Sequence, residues 1–240
     1  MIENKSKVNK KVIITQSNYI PWKGYFDSIE LVDEVVLYDD MQYTKRDWRN
    51  RNKIKTPKGA VWMSIPVEVK GKFFQAIKDT KVSDTDWNKK HWELIKANYS
   101  KAEAFLENKD FFEELYLNCN EEHLSQINYR FLRAISDYLG ITTPIRFSMD
   151  FELVEGKTER LVDLCKKVGG TDYYTGSAAK NYMDEELFEQ ENIKVHYLDY
   201  SGYPEYTQLH GDFTHEVSII DLILNEGNNA TSFMKNFDKK

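Results

Sequence analysis

Apolar positions along this chain follow two different periods. Val12-Ile13-Ile14 and Val35-Val36-Leu37-Tyr38 are short continuous apolar runs, the pattern of strands buried on both faces. Between them Tyr25, Phe26, Ile29 and Leu31-Val32 recur at helical spacing behind Pro21, a residue suited to a first helical turn. Strand, helix and strand within roughly 28 residues make a βαβ unit, which predicts parallel pairing. Residues 61–69 predict a strand of mixed burial, with Lys58-Gly59 as its turn. From about 86 to 139 the period becomes helical, over Trp87 to Tyr99, Phe105 to Leu117 and Leu124 to Leu139, with Gly140 as the stop. Pro144 to Phe147 begins a further strand. Thr158 to Val168 is amphipathic, with Leu161, Leu164, Cys165 and Val168 on one face and Gly169-Gly170 ending it. Asp172 to Thr175 and Ile193 to Leu198 predict short strands around a helix at 184–190.

This alternation predicts an α/β fold: a mainly parallel sheet with flanking helices and a helical insertion at about 86–139. Residues 1–10 read as a polar, lysine-rich tail and 11–240 as a single α/β domain, because no repeat, low-complexity segment or Pro/Gly-rich linker interrupts them. At 41% hydrophobic and 30% charged, the 240 residues exclude a disordered chain. No apolar run approaches the ~20 residues of a membrane span. The N-terminal residues lack the apolar core of a signal peptide. Cys119 and Cys165 form no CxxC pair, which argues against a disulfide framework or a structural zinc. The expected location is the cytoplasm.

Charge changes the picture at one place. Lys45, Arg46, Arg49, Arg51, Lys53, Lys55 and Lys58 face only Asp47, inside a chain of net charge -6. Arginine forks suit phosphate oxygens, and Asn50 and Asn52 in the same run suit fixed hydrogen bonds. The overall negative charge and the shortness of the run point to a small phosphorylated ligand rather than nucleic acid. Asp39-Asp40 follows the second strand, at the end of an open parallel sheet where ligands bind. The pair also matches the acidic motif with which sugar-nucleotide glycosyltransferases hold a divalent ion. Gly156-Lys157-Thr158 is not a P-loop, since Phe151 stands where that loop needs glycine, but Lys157 and Thr158 at a helix start suit an anion. His210 and His215 sit in a loop and no HExxH or HxxxH occurs, so no metal site is expected. Tyr200, Tyr203, Tyr206 and Gln208 crowd a Gly-Tyr-Pro loop, an aromatic surface suited to a sugar or a base.

Longer segments carry a family resemblance. They are Gln16 to Phe26, Tyr38 to Gln42, Lys45-Arg46, Asn50-Arg51-Asn52, Lys90-His91 and Gly156 to Arg160, then Tyr174-Thr175-Gly176, Lys180-Asn181-Tyr182, Asp199 to Glu205, and Phe213 to Asp221. On these the chain resembles, over about residues 11–227, the WbqC-like proteins, encoded among genes for bacterial O-antigen and other surface polysaccharides. Ser17 stands where the family more often has proline, and Thr175 where serine is usual. The resemblance implies a transferase of lipopolysaccharide sugar biosynthesis, N-acylating an amino sugar carried on a nucleotide. It implies no permanently bound cofactor, an acyl donor (coenzyme A or a carrier-protein thioester) as co-substrate, and an acyl carrier protein as a partner. On that reading Lys45, Arg49 and Arg51 hold phosphate, while Gln16, Tyr19, Asp39 and Gln42 line a cleft at the strand ends. Tyr200, Tyr203 and Tyr206 flank sugar or base, and Thr175, Lys180 and Tyr182 add to the binding surface. His215 or His91 is the base, with Glu205 as second candidate. The start of the chain is also similar in layout to nucleotidyltransferase-type enzymes such as pantothenate synthetase, but Trp22-Lys23-Gly24-Tyr25 stands where those have His-x-Gly-His. A metal-dependent glycosyltransferase, an ATP-dependent amide ligase and a non-catalytic binding module are the alternatives.

Overall fold

The computed structural model describes residues 9–237. In chain order the elements are β1 (Lys11–Thr15), α1 (Lys23–Leu31), β2 (Glu34–Leu37), β3 (Arg51–Thr56), β4 (Gly59–Ser64), α2 (Trp87–Tyr99) and α3 (Phe105–Leu117). They continue with α4 (Leu124–Tyr138), β5 (Ile145–Phe147), α5 (Thr158–Lys167), β6 (Asp172–Gly176), α6 (Glu185–Gln190), β7 (Lys194–Leu198) and α7 (Ile219–Glu226). Packing groups the described residues into two compact units. The first comprises the described residues up to Thr15, Leu31–Tyr38 and Thr143–Asp199; the second comprises Gln16–Glu30, Asp39–Thr142 and the described residues from Tyr200 on. Among the described residues no helix is long and apolar enough to cross a membrane.

The first unit is built on a five-stranded, all-parallel sheet in the order β5-β2-β1-β6-β7. The mixed α/β class with a parallel sheet and flanking helices is therefore as the apolar runs predict. Val35, Val36 and Leu37 of β2 are fully buried, which is why this run shows no alternation. β1 pairs with β2 on one side (Ile13 opposite Val35) and with β6 on the other (Ile13 opposite Tyr174). The order thus grows outward from β1 in both directions, the doubly wound arrangement, with its switch point at β1 and β6. Gly170, between α5 and β6, leaves no room for a Cβ, which would lie 2.8 Å from the Val12 side chain.

The second unit joins the hairpin β3–β4 to α2, α3, α4 and α7. Its core is aromatic: Trp92, Tyr99, Phe112, Tyr116 and Phe131 are all fully buried. Two of its elements are absent from the sequence reading. Residues 51–56, read as part of a phosphate-binding run, form β3, whose alternate residues Asn52 and Ile54 face inward. Over Ile219 to Leu224 helix α7 is apolar except for Asp221, a run too short and too uniform to show an amphipathic period; Ser218 caps it by accepting a hydrogen bond from the Ile220 amide at 3.2 Å. The strand expected at 61–69 is shorter, ending at Ser64 ahead of Ile65-Pro66.

Candidate functional site

The site is assembled in the second unit by a strained turn. Ile20 has φ 37°, a left-handed conformation that is a genuine outlier for a β-branched residue. It is held there by Asn52 of β3, whose buried amide donates to the carbonyls of Tyr19 at 3.1 Å and Ile20 at 2.9 Å. Asn52→Ala is therefore expected to cost about 1–3 kcal/mol in a urea unfolding experiment, because it leaves two buried carbonyls unpaired. A loss below about 0.5 kcal/mol would show that the turn holds without the clamp.

Beyond the turn, Pro21 leads to Trp22 and to Lys23, the first residue of α1. Gly24 lets the Trp22 indole lie back over the first helical turn: a Cβ there would stand 2.3 Å from the ring. The indole meets Tyr203 at 5.2 Å, Tyr200 at 5.5 Å and His215 at 6.4 Å, all edge to face. Beside it Lys23 is 4% exposed. Its Nζ donates to the Pro204 carbonyl at 2.5 Å and lies 5.0 Å from the Tyr206 ring centre, 5.7 Å from Tyr203 and 5.9 Å from Phe213. Burial lowers its pKa to about 8, with Asp27 and Glu205 pulling the other way. His215 packs edge-on to Phe213 at 4.6 Å, and its buried Nδ1 has no hydrogen-bond partner among the described residues. Burial first, then the Lys23 charge, hold its pKa below the ordinary 6.5, so the imidazole is neutral at pH 7. Glu205 is exposed and is electrostatically coupled to both.

A second network fixes the loop that brings these groups to Lys23. Asp221 of α7 is fully buried and accepts from Tyr99 Oη and Tyr206 Oη, each at 2.7 Å, and from Gln208 Nε2 at 2.9 Å. Gln208 Oε1 in turn accepts from Lys55 Nζ at 2.7 Å and the Thr214 amide at 3.0 Å. Tyr203 gives its hydroxyl to Asp27 Oδ2 at 2.6 Å. The hydroxyls of Tyr203 and Tyr206 are thus engaged inside the protein, and Tyr200 remains the exposed ring of the three.

The structure therefore gathers His215, Glu205, Tyr200, Tyr203 and Tyr206 from the expected set around a lysine that the sequence reading omitted. Lys23 lies inside the Gln16 to Phe26 segment, but nothing in the sequence shows that its ammonium would be buried. His91 sits elsewhere: 7% exposed, it pairs through Nδ1 with Tyr19 Oη at 2.8 Å and through Nε2 with the Ser64 carbonyl at 3.2 Å. Burial drives its pKa down to about 4. Tyr19 is buried with it, its Oη also hydrogen-bonded to Tyr116 Oη at 3.0 Å. Asp39 is buried too, accepting from the Ser17 amide at 2.8 Å and from the Ser125 hydroxyl, while Asp40 pairs with Lys78. Gln16 is half-buried, its carbonyl accepting from Tyr25 Oη at 3.2 Å.

In the basic run Arg49 donates to Asn18 Oδ1, Asn50 donates to the Ile65 carbonyl at 2.8 Å, and Arg51 stacks 3.9 Å above Trp62. Lys45 and Gln42 are exposed, Gln42 donating to the Phe73 carbonyl at 2.7 Å. In the first unit Thr158 is buried, its hydroxyl accepting from the Asp184 amide at 3.3 Å, and Lys157 is exposed at the start of α5. Thr175 is half-buried in β6; Lys180 lies 4.5 Å from the Tyr197 ring centre and Tyr182 is exposed. Among the described residues, no group of three or more His, Cys, Asp or Glu side chains is arranged to hold a metal ion.

A doubly wound parallel sheet, and a lysine and a histidine enclosed by aromatic rings, define the class as a mixed α/β protein with a compact ionisable site. The chain belongs to the WbqC-like protein family, whose sequence profile matches residues 16–233. It is also similar to the uncharacterized protein Rv1507c of Mycobacterium tuberculosis, 50% identical over 226 residues, which cover 94% of this chain and 98% of the relative. No solved structure gives a significant match.

Proposed function

We propose that this protein is a sugar-modifying transferase of surface polysaccharide biosynthesis that N-acylates a nucleotide-linked amino sugar, taking the acyl group from a coenzyme A or carrier-protein thioester in the cytoplasm. The observation that supports it is the pairing of a neutral histidine with a buried lysine. Acyl transfer to an amine requires one group to take a proton and another to stabilise negative charge on the former carbonyl oxygen. His215, neutral at pH 7, is the base, and the Lys23 ammonium is the charge that faces the oxyanion. The sugar amine attacks the thioester carbon, and its nitrogen gives up a proton to the His215 imidazole. The tetrahedral oxyanion then collapses to the amide, the C–S bond breaks, and the imidazolium returns the proton to the thiolate. The exposed edge of Tyr200 and the Trp22 indole form an aromatic wall suited to a sugar ring. Arg51, Lys45 and Arg49 are the groups offered to phosphate.

The test is turnover of the purified chain with dTDP-, UDP- and GDP-linked amino sugars and acyl-coenzyme A, read as free thiol and as the mass of the amide. Product formed without ATP and magnesium is expected. Product that appears only with ATP and magnesium would replace the proposal by an amide ligase, and tight binding without product would replace it by a binding module. His215→Ala is expected to lower kcat about 100-fold or more with an unchanged unfolding midpoint. Wild-type turnover in that variant would remove His215 from the mechanism.

A further inference from the structure

The segment between β4 and α2 holds two adjacent phenylalanines in water. Phe73 is 73% and Phe74 84% exposed, their rings packed edge to face at 5.0 Å. Single exposed apolar residues are ordinary on any surface, but two neighbouring rings left in solvent form an apolar patch whose transfer out of water is favourable. They are also held outward. The tip turns at Gly71, with φ 74°, and is tied down from below: Gln42 Nε2 donates to the Phe73 carbonyl at 2.7 Å, the Tyr43 amide to the Gln75 carbonyl at 2.9 Å, and Gln75 Nε2 to the Glu68 carbonyl at 2.7 Å. Ala76 bridges to Gln42, which places the segment that runs on to Lys45 and Arg46 beside this tip.

The charges around the rings are cationic where they are uncommitted. Lys70 and Lys72 lie on either side of Gly71, and Lys72 pairs with Glu68. Lys45, Arg46 and Lys70 are exposed and make no ion pair among the described residues, in a chain whose net charge is -6. Two exposed rings flanked in sequence by Lys70 and Lys72 combine an apolar patch with positive charge. That combination matches a lipid surface, where rings enter the headgroup boundary and ammonium groups meet phosphates.

We propose that Phe73 and Phe74 are a wedge that docks the protein on anionic bilayers, with Lys70, Lys72 and Arg46 contacting lipid phosphates. The wedge is independent of the catalytic proposal, since it uses none of Trp22, Lys23, Glu205 or His215. The experiment is co-sedimentation of the full chain with phosphatidylglycerol/phosphatidylcholine vesicles and with pure phosphatidylcholine vesicles. The wild-type protein is expected to pellet with the anionic vesicles, more weakly with neutral ones, and less as salt rises. F73S/F74S is expected to lower the partition coefficient at least about tenfold with an unchanged melting temperature, because both rings lie outside the core. K70E/K72E is expected to abolish the preference for anionic lipid. Wild-type protein remaining in the supernatant with anionic vesicles would overturn the proposal, as would F73S/F74S pelleting as well as wild type. Equal partitioning onto neutral vesicles would overturn the role of the lysines.

Discussion

Replacing Lys23 with methionine is expected to lower turnover by about 10²–10³-fold while leaving the protein no less stable at pH 7. Methionine keeps the length and the apolar stem of lysine, so the packing against Tyr203, Tyr206 and Phe213 survives and the charge alone is lost. The stability half follows from linkage. The folded protein lowers the Lys23 pKa from 10.5 to about 8, so below pH 8 it holds a charged group at a cost that the unfolded chain does not bear. That cost diminishes as pH rises from about 8 toward 10.5, so wild-type stability from this group increases over that window, and the variant lacks the increase. A residue that costs folding energy yet is required for turnover is functional rather than structural. The kinetics carry a matching signature: kcat/KM is expected to fall above about pH 8 as Lys23 loses its proton, and to fall below pH 6.5 as His215 gains one. Lys23→Met is expected to remove the alkaline limb only. Unchanged turnover in this variant, or an alkaline limb that persists in its residual activity, would exclude Lys23 as the oxyanion partner.

Asp221→Ala is expected to be the most destabilising single change in the second unit, about 3–5 kcal/mol by urea denaturation. The carboxylate collects the hydroxyls of Tyr99 and Tyr206 and the amide of Gln208, with the Lys55 charge close by. Burial alone lifts its pKa, and those three donors together with Lys55 oppose the rise. Removing it leaves two buried phenols without their acceptor, takes one acceptor from the Gln208 amide, and leaves buried Lys55 without its counter-charge. Because Gln208 also ties the Thr214 carbonyl and amide, the loop bearing Phe213 and His215 loosens as well. Asp221→Asn keeps the shape and one acceptor oxygen, and so is expected to lie well short of the alanine value. A loss under about 1 kcal/mol for Asp221→Ala would show that the network is redundant.

Local pattern determined most of the elements. The continuous apolar runs at 12–14 and 35–38 and the amphipathic run at 158–168 describe strands and a helix whose burial is set along the chain itself. Gly140, with φ 77°, ends α4 one residue beyond Leu139, as a glycine stop does. Helix α7 was hidden because Ile219 to Leu224 is apolar on every side but one, and β3 because Arg51, Lys53 and Lys55 outweigh the inward-facing Asn52 and Ile54. Composition and hydropathy average over a residue's chemistry, whereas burial depends on which way it faces.

The site shows the same division more sharply. The sequence by itself determined the α/β class, the parallel pairing and the family, because these rest on periodicity and on ordered motifs along the chain. It also marked His215, Glu205 and the tyrosines as chemistry-bearing. Tertiary structure alone decided what their protons do. His91 and His215 have the same intrinsic pKa, yet one is enclosed with both nitrogens bonded, and the other lies beside an ammonium with one nitrogen unpartnered. Lys23 is one lysine among many in sequence, and becomes singular only when residues 203–213, far along the chain, close aromatic rings over it. Desolvation and Coulomb energy act through space, so the residues that tune a proton need not be neighbours in sequence.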